Sequence, residues 1–395
     1  MLGVSTERLY YHDSYLSAFE AAFDTEFASV PADPCRVYLA RTAFYPASGG
    51  QPHDLGTLGG QPVINVIDEG DRIMHVTAGP VALADVVSAA IDWDRRYDHM
   101  QQHTGQHLLS AVFAGRFGSP TLSFHMGSEV STIELGTPEL SPAQLEEAER
   151  HANLLANEGR PVRICFENAA DAGGLRKPSD RSGVLRIVEI EGLDRSACGG
   201  THVRSSSEIA PLQIRRVEKI RGNLRVEFVC GLRALARARQ DFRLLSGLAR
   251  QSATPIDNLP EHFAALRLRL TAAEKDRQKL SVELARREGG ELYAAAAVAG
   301  DGVRRAMLRV PAIDEAARAK AQAFTAQSKA VLLVLAEEPP GVLIACSADA
   351  GVSAGAILKQ VLAAAGGRGG GAATLAQGSL PSAQTGDALA AALGF

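Results

Sequence analysis

Short apolar runs, separated by segments rich in glycine and proline, predict a β-rich start to the chain. The candidate strands are RVYLAR at 36–41, PVINVID at 62–68 and RIMHVTA at 72–78. The intervening segment YPASGGQPHDLGTLGGQP contains the turn-forming residues that such strands need between them. We therefore expect residues 1–92 to form a small β-barrel, with Gln51 and its FYPASGG segment packed against the next domain.

Helical and strand patterns alternate after this region. Apolar residues at helical spacing predict a helix over about 94–117. A second helix is expected after Ser141, because Pro142 suits the first helical position and Gln144 completes the spacing of a capping box. We expect residues 93–231 to form one α/β domain. Its strand candidates are TLSFHMG, VSTIEL, PVRICFE, VLRIVEIEG and the hairpin LQIRRVEKIRGNLRVEFVCG, which turns at its RGN segment.

The pattern changes twice more toward the C-terminus. Residues 232–297 are helical by pattern, with a turn expected at 252–257, and their coiled-coil rhythm predicts an antiparallel helical hairpin or a short coiled coil. Residues 298–395 are expected to form an α/β domain with the buried strands AVLLVLA and GVLIACS, a helix, the glycine-rich loop GGRGGGAATLAQGS and a final short helix. The whole chain then belongs to the α+β class.

Composition narrows the functional classes. The chain has 395 residues, of which 46% are hydrophobic and 22% are charged, as in folded globular proteins. A formal net charge of -4 argues against a general polycation, so any nucleic-acid contact needs a local basic surface. Five widely spaced cysteines favour the reducing cytoplasm over a disulfide framework. The sequence predicts neither a signal peptide nor a membrane span.

Two short motifs, HTGQH and CGGTH, contain candidate metal ligands. His103 and His107 are four residues apart on the expected helix and therefore share one of its faces. Cys198 and His202 are separated by two glycines and a threonine, in a loop that the glycines allow to fold tightly. Three imidazoles and one thiolate would complete the tetrahedral donor set typical of Zn²⁺.

The same residues also have less specific explanations. An HxxxH pair on a helix is common among half-buried histidines with hydrogen-bonded rings, and spacing alone does not show that the two motifs meet. His99 lies on the same helical stripe and is a candidate ligand, a partner of a ligand or a surface residue. Four protein donors are typical of structural zinc, whereas catalytic zinc keeps a position for water, and the sequence leaves both roles open.

The motifs in combination resemble a known family. HTGQH followed by LLSA, then CGGTH, with FYPASGGQPHDLG upstream, resemble the editing domain of alanyl-tRNA synthetase and its free-standing relatives, the AlaX proteins. The editing domain of threonyl-tRNA synthetase shares the paired HxxxH and Cys/His pattern. The order of barrel, editing domain, helical segment and glycine-rich domain also matches. The chain starts at the barrel, without room for an aminoacylation module, so we expect a long-form AlaX protein.

This resemblance implies a function and a set of ligands. The family binds Zn²⁺ through four motif residues, which correspond here to His103, His107, Cys198 and His202. It hydrolyses the ester of tRNA(Ala) that is wrongly charged with serine or glycine, so the implied partner is mischarged tRNA(Ala). The C-terminal domain is implied to bind tRNA or to dimerise the protein, and we expect a homodimer through the helical hairpin and this domain.

Other polar residues are candidates for catalysis and substrate binding. The resemblance places His125 at a polar position of the substrate pocket, and Gln106 lies between the metal histidines, so both are candidates for positioning water. Thr121 and Ser123 are candidates for hydrogen bonds to the hydroxyl of a serine substrate, since a buried hydroxyl without a partner is costly. All four are equally typical of polar residues on strand or helix surfaces.

A basic cluster on the predicted hairpin is the candidate tRNA-binding surface. Arg215, Arg216, Lys219 and Arg221 lie close together in the sequence and suit contacts with phosphates. A solvated hairpin whose own glutamates pair with these cations would explain the same charges.

The leading hypothesis is therefore a zinc-dependent aminoacyl-tRNA deacylase that acts in trans. A zinc-stabilised tRNA-binding module without catalysis is the main alternative, and a zinc hydrolase of small esters or amides is another. A phosphoesterase with clustered Asp and His ligands is not expected, because DHMQQH lacks acidic partners elsewhere in the chain.

Overall fold

The computed structural model describes residues 5–24 and 33–395. It divides into two compact units, Met1–Gly247 and Leu248–Phe395. Helices and sheets occur in both units, which confirms the mixed helical and strand content expected from the sequence. None of the helices in these two described ranges is long and apolar enough to cross a membrane. The division into four domains stays a prediction.

Most of the strands belong to the first unit. In chain order the strands are β1 (Glu7–Arg8), β2 (Ala18–Ala21), β3 (Arg36–Tyr38), β4 (Arg41–Thr42), β5 (Gly56–Leu58), β6 (Gln61–Asp68), β7 (Ile73–Thr77), β8 (Val87–Ile91), β9 (Thr121–Met126), β10 (Ser131–Leu135), β11 (Val162–Asn168), β12 (Val184–Ile190), β13 (Asp194–Ala197), β14 (Leu212–Ile220), β15 (Asn223–Cys230), β16 (Arg304–Val310), β17 (Ala330–Ala336), β18 (Gly341–Cys346), β19 (Arg368–Gly371) and β20 (Leu375–Ser379).

The α-helices occur in both units. They are α1 (Trp93–Phe117), α2 (Pro142–Asn157), α3 (Gly231–Gln251), α4 (Leu259–Ala295), α5 (Glu315–Thr325), α6 (Ala354–Ala365) and α7 (Ala383–Ala392). Single 3-10 turns occur at Leu9–Tyr11, Ser206–Ile209 and Ile256–Asn258.

A six-stranded antiparallel sheet forms the N-terminal part of the first unit. Its strand order is β2-β8-β5-β6-β7-β3, and a bridge between Phe23 and Leu39 joins the two outer strands, so the sheet closes on itself. Strand β8 shows the underlying pattern, since Val87, Ala89 and Ile91 are buried and alternate with exposed residues. The three strands predicted in this region are found as β3, β6 and β7.

Helix α1 is the central element of the remaining first unit. It begins after Asp92, whose carboxylate accepts a hydrogen bond from the Arg95 N–H, and it ends at Gly118, whose φ of 59° is left-handed. Every residue from His99 to Phe113 is buried. The antiparallel sheets β14-β15-β10-β9 and β11-β12-β13 belong to the same unit. The predicted helix and hairpin are therefore confirmed, as is the capping box at the start of α2.

A buried ion pair holds α1 against the closed sheet. The guanidinium of Arg96 is fully buried and donates to the Asp54 carboxylate, to the Ser14 carbonyl at 2.8 Å and to the Ala43 carbonyl at 2.6 Å. Because all these groups are buried, removing one partner would leave the others unpaired. This connection fixes the orientation of α1, from which two of the candidate ligands project.

The second unit contains a sheet of order β16-β17-β18-β20-β19. Strands β17 and β18 are buried along their whole length, as predicted for AVLLVLA and GVLIACS. The prediction of a glycine-rich loop is wrong, because its residues form the hairpin of β19 and β20. Gly371 shows why glycine suits this edge, since an added Cβ would lie 2.3 Å from the Leu375 carbonyl oxygen.

The predicted helical region contains α3 and α4, with the expected turn between them. Helix α4 packs against α5, and Gly289 permits their close approach, since a Cβ there would lie 2.3 Å from the Lys320 carbonyl oxygen. The pairing of α3 with α4 and the homodimer stay predictions. The large apolar residues of the coiled-coil rhythm are exposed in the structure, namely Phe263, Leu266, Leu270, Leu280 and Leu284.

Candidate metal centre

Helix α1 presents the first two candidate ligands. His103 and His107 are one helical turn apart, both are buried, and their ring centroids are 5.3 Å apart. Both belong to the stretch of α1 from His99 to Phe113 in which every residue is buried. The helix thus places two imidazoles next to each other, as the four-residue spacing predicts.

The loop after β13 presents the other two. Arg186 holds this loop by accepting the Cys198 N–H at its own carbonyl and donating to the Cys198 carbonyl at 2.7 Å. The two glycines that follow are not equivalent. A Cβ at Gly200 would lie 2.2 Å from Cε1 of His103, whereas a Cβ at Gly199 would be 3.6 Å from the Tyr11 hydroxyl oxygen, an ordinary contact. Close approach at Gly200 is therefore what requires glycine.

The structure brings the four predicted ligands together. Sγ of Cys198 lies 3.4 Å from Nε2 of His103 and 3.3 Å from Nε2 of His202. The donor atoms of these residues and His107 all lie within 4.8 Å of one another. In a tetrahedral zinc site with bonds of about 2.0 and 2.3 Å, a sulfur and a nitrogen are about 3.5 Å apart. The donor set and these two sulfur–nitrogen distances therefore fit Zn²⁺.

Each of the three histidines has a hydrogen-bond partner at its second ring nitrogen. Nδ1 of His103 donates to Gln51 Oε1 at 2.8 Å and Nδ1 of His107 to Asp194 Oδ2 at 2.8 Å. Nδ1 of His202 lies 3.1 Å from the Thr104 hydroxyl oxygen. The amide oxygen of Gln51 and the carboxylate of Asp194 place a proton on Nδ1 of His103 and His107, so Nε2 is the ring nitrogen that each would offer to a metal. Such partners orient metal-binding histidines and increase their basicity.

The charges around the centre also suit a cation. Burial alone would raise the pKa of the Cys198 thiol, but the neighbouring His103 and His202 outweigh it and hold that pKa well below its usual value. Burial lowers the pKa of His202 to about 3, so its imidazole is neutral. For His107 burial alone would lower the pKa, but the hydrogen bonds and charges of Asp194 and Cys198 together outweigh it and raise the pKa to about 9, so a bound cation would displace a proton there.

His99 lies outside this cluster. It is one turn before His103 on α1 and is buried, and Nδ1 has no hydrogen-bond partner among the described residues. Burial, followed by the charges of Arg95 and Arg233, lowers the pKa of His99 to about 3. The side chain is therefore a neutral buried imidazole, and the structure does not group it with the four candidate ligands.

A cavity of about 510 Å³ opens onto the cluster. His103, His107 and Cys198 line it, together with Gln106 and Thr121. The side-chain amide of Gln106 donates to Ser110 Oγ at 2.8 Å, and the Thr121 hydroxyl donates to the same oxygen at 2.7 Å. We call the three residues Gln106, Ser110 and Thr121 the polar strip. It places hydrogen-bonding groups beside the candidate metal ligands.

Comparison with known proteins identifies the family. The model of the second additional domain of threonyl and alanyl tRNA synthetases matches residues 185–226, and the DHHA1 domain model matches 307–395. The alanyl-tRNA editing protein AlaX-L of Pyrococcus horikoshii is 32% identical over 391 residues, which cover 94% of this chain and 94% of that protein. The chain belongs to the long-form AlaX family.

Two further comparisons cover less of the AlaX chain. The alanyl-tRNA editing protein Aarsd1-A of Xenopus laevis is 40% identical over 207 residues, which are 50% of each protein, so the chain spans about half the length of that relative. The solved C-Ala domain of alanyl-tRNA synthetase from Aquifex aeolicus covers 23% of this chain and 86% of that chain, at 21% identity and a TM-score of 0.21, which is too low to compare folds.

The structure does not place His125 of this AlaX chain with the other candidate residues. Strand β9 alternates, so that Phe124 faces inward and stacks on His103 with centroids 5.4 Å apart, while His125 pairs with Thr132 on the exposed face. His125 is absent from the cavity lining. Ser123 is exposed and lies at the cavity edge, where its hydroxyl donates to Glu134 at 3.4 Å.

The cations of the hairpin formed by β14 and β15 are largely paired. Arg215 forms an ion pair with Asp241 at 2.7 Å, and Lys219 lies 3.6 Å from Glu139. Arg216 pairs with Glu218, and Arg221 occupies the turn with a φ of 48°. The expected glutamate pairing is thus seen for Arg216, and the tRNA-binding role of these four residues stays a prediction.

Sequence reasoning missed three partners of the candidate metal-binding histidines. Gln51 was expected only to pack against this domain, but its amide accepts from both His103 and the Thr201 N–H and donates to the Thr201 hydroxyl at 2.8 Å. Asp194 and Thr104 carried no expectation at all. Asp194 lies at the start of β13, four residues before Cys198. This acidic residue close to a candidate ligand was the one feature of the sequence that could have indicated a partner for a histidine.

Proposed function

We propose that this chain is a trans-editing hydrolase that deacylates tRNA(Ala) carrying serine or glycine. Relatives across the family are named alanyl-tRNA editing proteins, and one of them matches nearly the whole chain. The observation that carries the proposal is a three-histidine, one-cysteine cluster, of which His103, His107 and Cys198 line a polar cavity. Partially exposed or buried free cysteines throughout the chain agree with a reducing, cytoplasmic location.

An aminoacyl ester is already activated, so its hydrolysis needs mainly a positioned water and stabilisation of the developing oxyanion. Zn²⁺, when bound, would supply a fixed positive charge that orients a polar group of the substrate. Gln51, Asp194 and Thr104 keep the three imidazoles in place. In the polar strip the Gln106 amide nitrogen is used by Ser110, so its Oε1 is the atom that would accept a hydrogen bond from the attacking water.

Thr121 supports selection for serine. Its hydroxyl proton is directed at Ser110, which leaves the oxygen lone pairs to accept from the hydroxyl of a seryl group. Alanine lacks that hydroxyl and would leave the Thr121 oxygen without this partner in a partly buried site. A site that hydrogen-bonds a substrate hydroxyl discriminates against the analogue that lacks it.

Deacylation of tRNA(Ala) charged with serine, glycine or alanine tests the proposal. The wild-type protein should release serine and glycine much faster than alanine, and Cys198→Ala should lose zinc and hydrolysis together. Cys165→Ala is the matched control, because Cys165 is also partly exposed but contacts Glu167 rather than the cluster. Equal rates for all three esters, or full zinc content in Cys198→Ala, would contradict the proposal.

A tRNA-binding module without catalysis is the second candidate. It is favoured by the count of donors, since four protein ligands close a tetrahedron and are typical of structural zinc. Under this alternative the protein binds tRNA(Ala) in a zinc-dependent way but releases no amino acid. The same deacylation assay, run beside a tRNA-binding measurement, separates the two functions.

A further inference from the structure

The loop between β11 and β12 forms one wall of the cavity. Lys177 and Arg181 of this loop line the cavity, on whose surface His103 and Cys198 also lie. Both side chains are exposed. Two long cationic side chains therefore border the space in which an ester would meet the cluster.

These two cations are free to bind an anion. Within the described parts of the chain, no carboxylate lies within 4 Å of the side-chain nitrogens of Lys177 or Arg181, and Asp180 between them forms no ion pair at that distance. Arg8, which also lines the cavity, differs because it donates to both carboxylate oxygens of Asp68, at 2.6 and 2.8 Å. The positive charge available at the cavity is thus concentrated on this loop.

Arg176, in the middle of this loop, connects it to the candidate metal cluster. Its Nε donates to Asp194 Oδ1 at 2.6 Å, and its backbone N–H donates to the Arg195 carbonyl at 2.8 Å. The other oxygen of Asp194 accepts from His107. The residue next to Lys177 is therefore fixed relative to a candidate ligand, which limits how far the two cations can lie from the reacting ester.

We propose that Lys177 and Arg181 bind phosphate groups of the single-stranded RNA end that delivers the aminoacyl ester to the cluster. This inference rests on the proposed function. An ester on a terminal ribose is followed along the strand by phosphodiesters, so a ribose held at the cluster places phosphates at the wall of the cavity. Unpaired Lys and Arg side chains are the usual partners of RNA phosphates, and they position the strand without reading its sequence.

Salt-dependent binding of a short RNA tests this role. The probe is a fluorescently labelled single-stranded RNA with the sequence of the tRNA 3′ end, and its affinity is measured by anisotropy over a range of salt concentrations. For single strands, each phosphate contact contributes about 0.7 to the slope of log K against log salt. Lys177→Ala/Arg181→Ala should therefore lower the magnitude of the slope by about 1.4. The factor by which the affinity falls between 50 and 200 mM salt should then be about 7-fold smaller than in the wild type.

The control removes the same charge elsewhere. Arg150 and Arg163 are 61% and 63% exposed, lie in the same unit and do not line the cavity, so Arg150→Ala/Arg163→Ala should leave the slope close to that of the wild type. An unchanged slope in the Lys177/Arg181 variant, or the same change in both variants, would overturn the inference.

The experiment is separate from the proposed deacylation. RNA binding with the expected slope and no hydrolysis would refute the proposed enzyme and support these contacts. Hydrolysis of charged tRNA together with an unchanged slope would support the enzyme and refute the contacts. Intact zinc content in the Lys177/Arg181 variant shows that the cluster still forms.

Discussion

Gly200→Ala probes the closest contact in the candidate metal centre. The new Cβ would lie 2.2 Å from Cε1 and 2.4 Å from Nδ1 of His103, and 3.0 Å from Oε1 of Gln51. Ordinary contact begins at 3.4 Å, so the imidazole has to move by about 1.2 Å, the difference between 3.4 and 2.2 Å. Metal–ligand distances tolerate only about 0.2 Å. The substitution therefore displaces His103 from the centre and breaks its hydrogen bond to Gln51.

The expected loss of zinc affinity is large. Loss of an outer hydrogen bond alone lowers metal affinity about 10–100-fold, so displacement of a ligand together with its partner should lower it at least about 100-fold. Overpacking in a buried site adds about 1–3 kcal/mol of destabilisation. Competition with a coloured zinc chelator measures the affinity, and thermal unfolding with excess chelator measures the destabilisation without metal.

Gly199→Ala is the matched control for this prediction. It adds the same methyl group to the neighbouring residue, where the nearest atom would be the Tyr11 hydroxyl oxygen at 3.6 Å. Neither glycine has a left-handed φ, so backbone strain does not distinguish the two variants. Zinc affinity of Gly199→Ala should stay close to the wild-type value. Equal affinities of the two variants would refute the assignment of His103 as a ligand held against Gly200.

Three further predictions concern the surroundings of the site. Asp194→Asn should lower zinc affinity about 10–100-fold by weakening the hold on His107, whereas Asp241→Asn, which removes a carboxylate paired with Arg215 and Arg237, should not; equal affinities would count against this role. Thr121→Val should reduce the preference for seryl over alanyl ester about 10-fold, the value of one hydrogen bond, and an unchanged preference in the deacylation assay would exclude Thr121 as the hydroxyl's partner. Burial lowers the pKa of His75 from 6.5 to about 4. As the pH falls, the unfolded chain therefore binds a proton at this histidine before the folded chain does. The free energy of unfolding of the first unit should therefore fall by up to about 3 kcal/mol as the pH drops from about 6.5 to about 4. Chemical unfolding across this range should show a smaller fall for His75→Gln, and an identical fall would refute the prediction.

The two pairs of candidate metal ligands were accessible from the sequence because the spacing within each pair is local, and the family resemblance joined the pairs into one set. A four-residue separation fixes two side chains on one helix face, and two glycines between Cys198 and His202 indicate a tight loop. The hydrogen-bond partners of the histidines are not local. Gln51 is 52 residues from His103, and Asp194 is 87 residues from His107, so neither partner is indicated by any periodicity of the sequence. Only the folded chain brings them together.

Two differences between prediction and structure have simple causes. His125 was placed in the pocket by resemblance, but strand alternation puts it on the face opposite Phe124, which is the residue that reaches His103. The sequence shows that His125 and Phe124 lie on opposite faces of β9, but it does not show which face points inward. That face is set by the pairing of Phe124 with the buried Ile133 of β10. The glycine-rich segment near the C-terminus was expected as a loop, yet as an edge hairpin it needs glycine for close strand contact.

X-ray absorption at the zinc edge of the zinc-loaded protein tests the central claim most directly. The four-residue cluster predicts a single type of site with three nitrogen donors at about 2.0–2.1 Å and one sulfur donor at about 2.3 Å. A shell without sulfur, or one of oxygen donors only, would show that zinc binds elsewhere and would contradict the account.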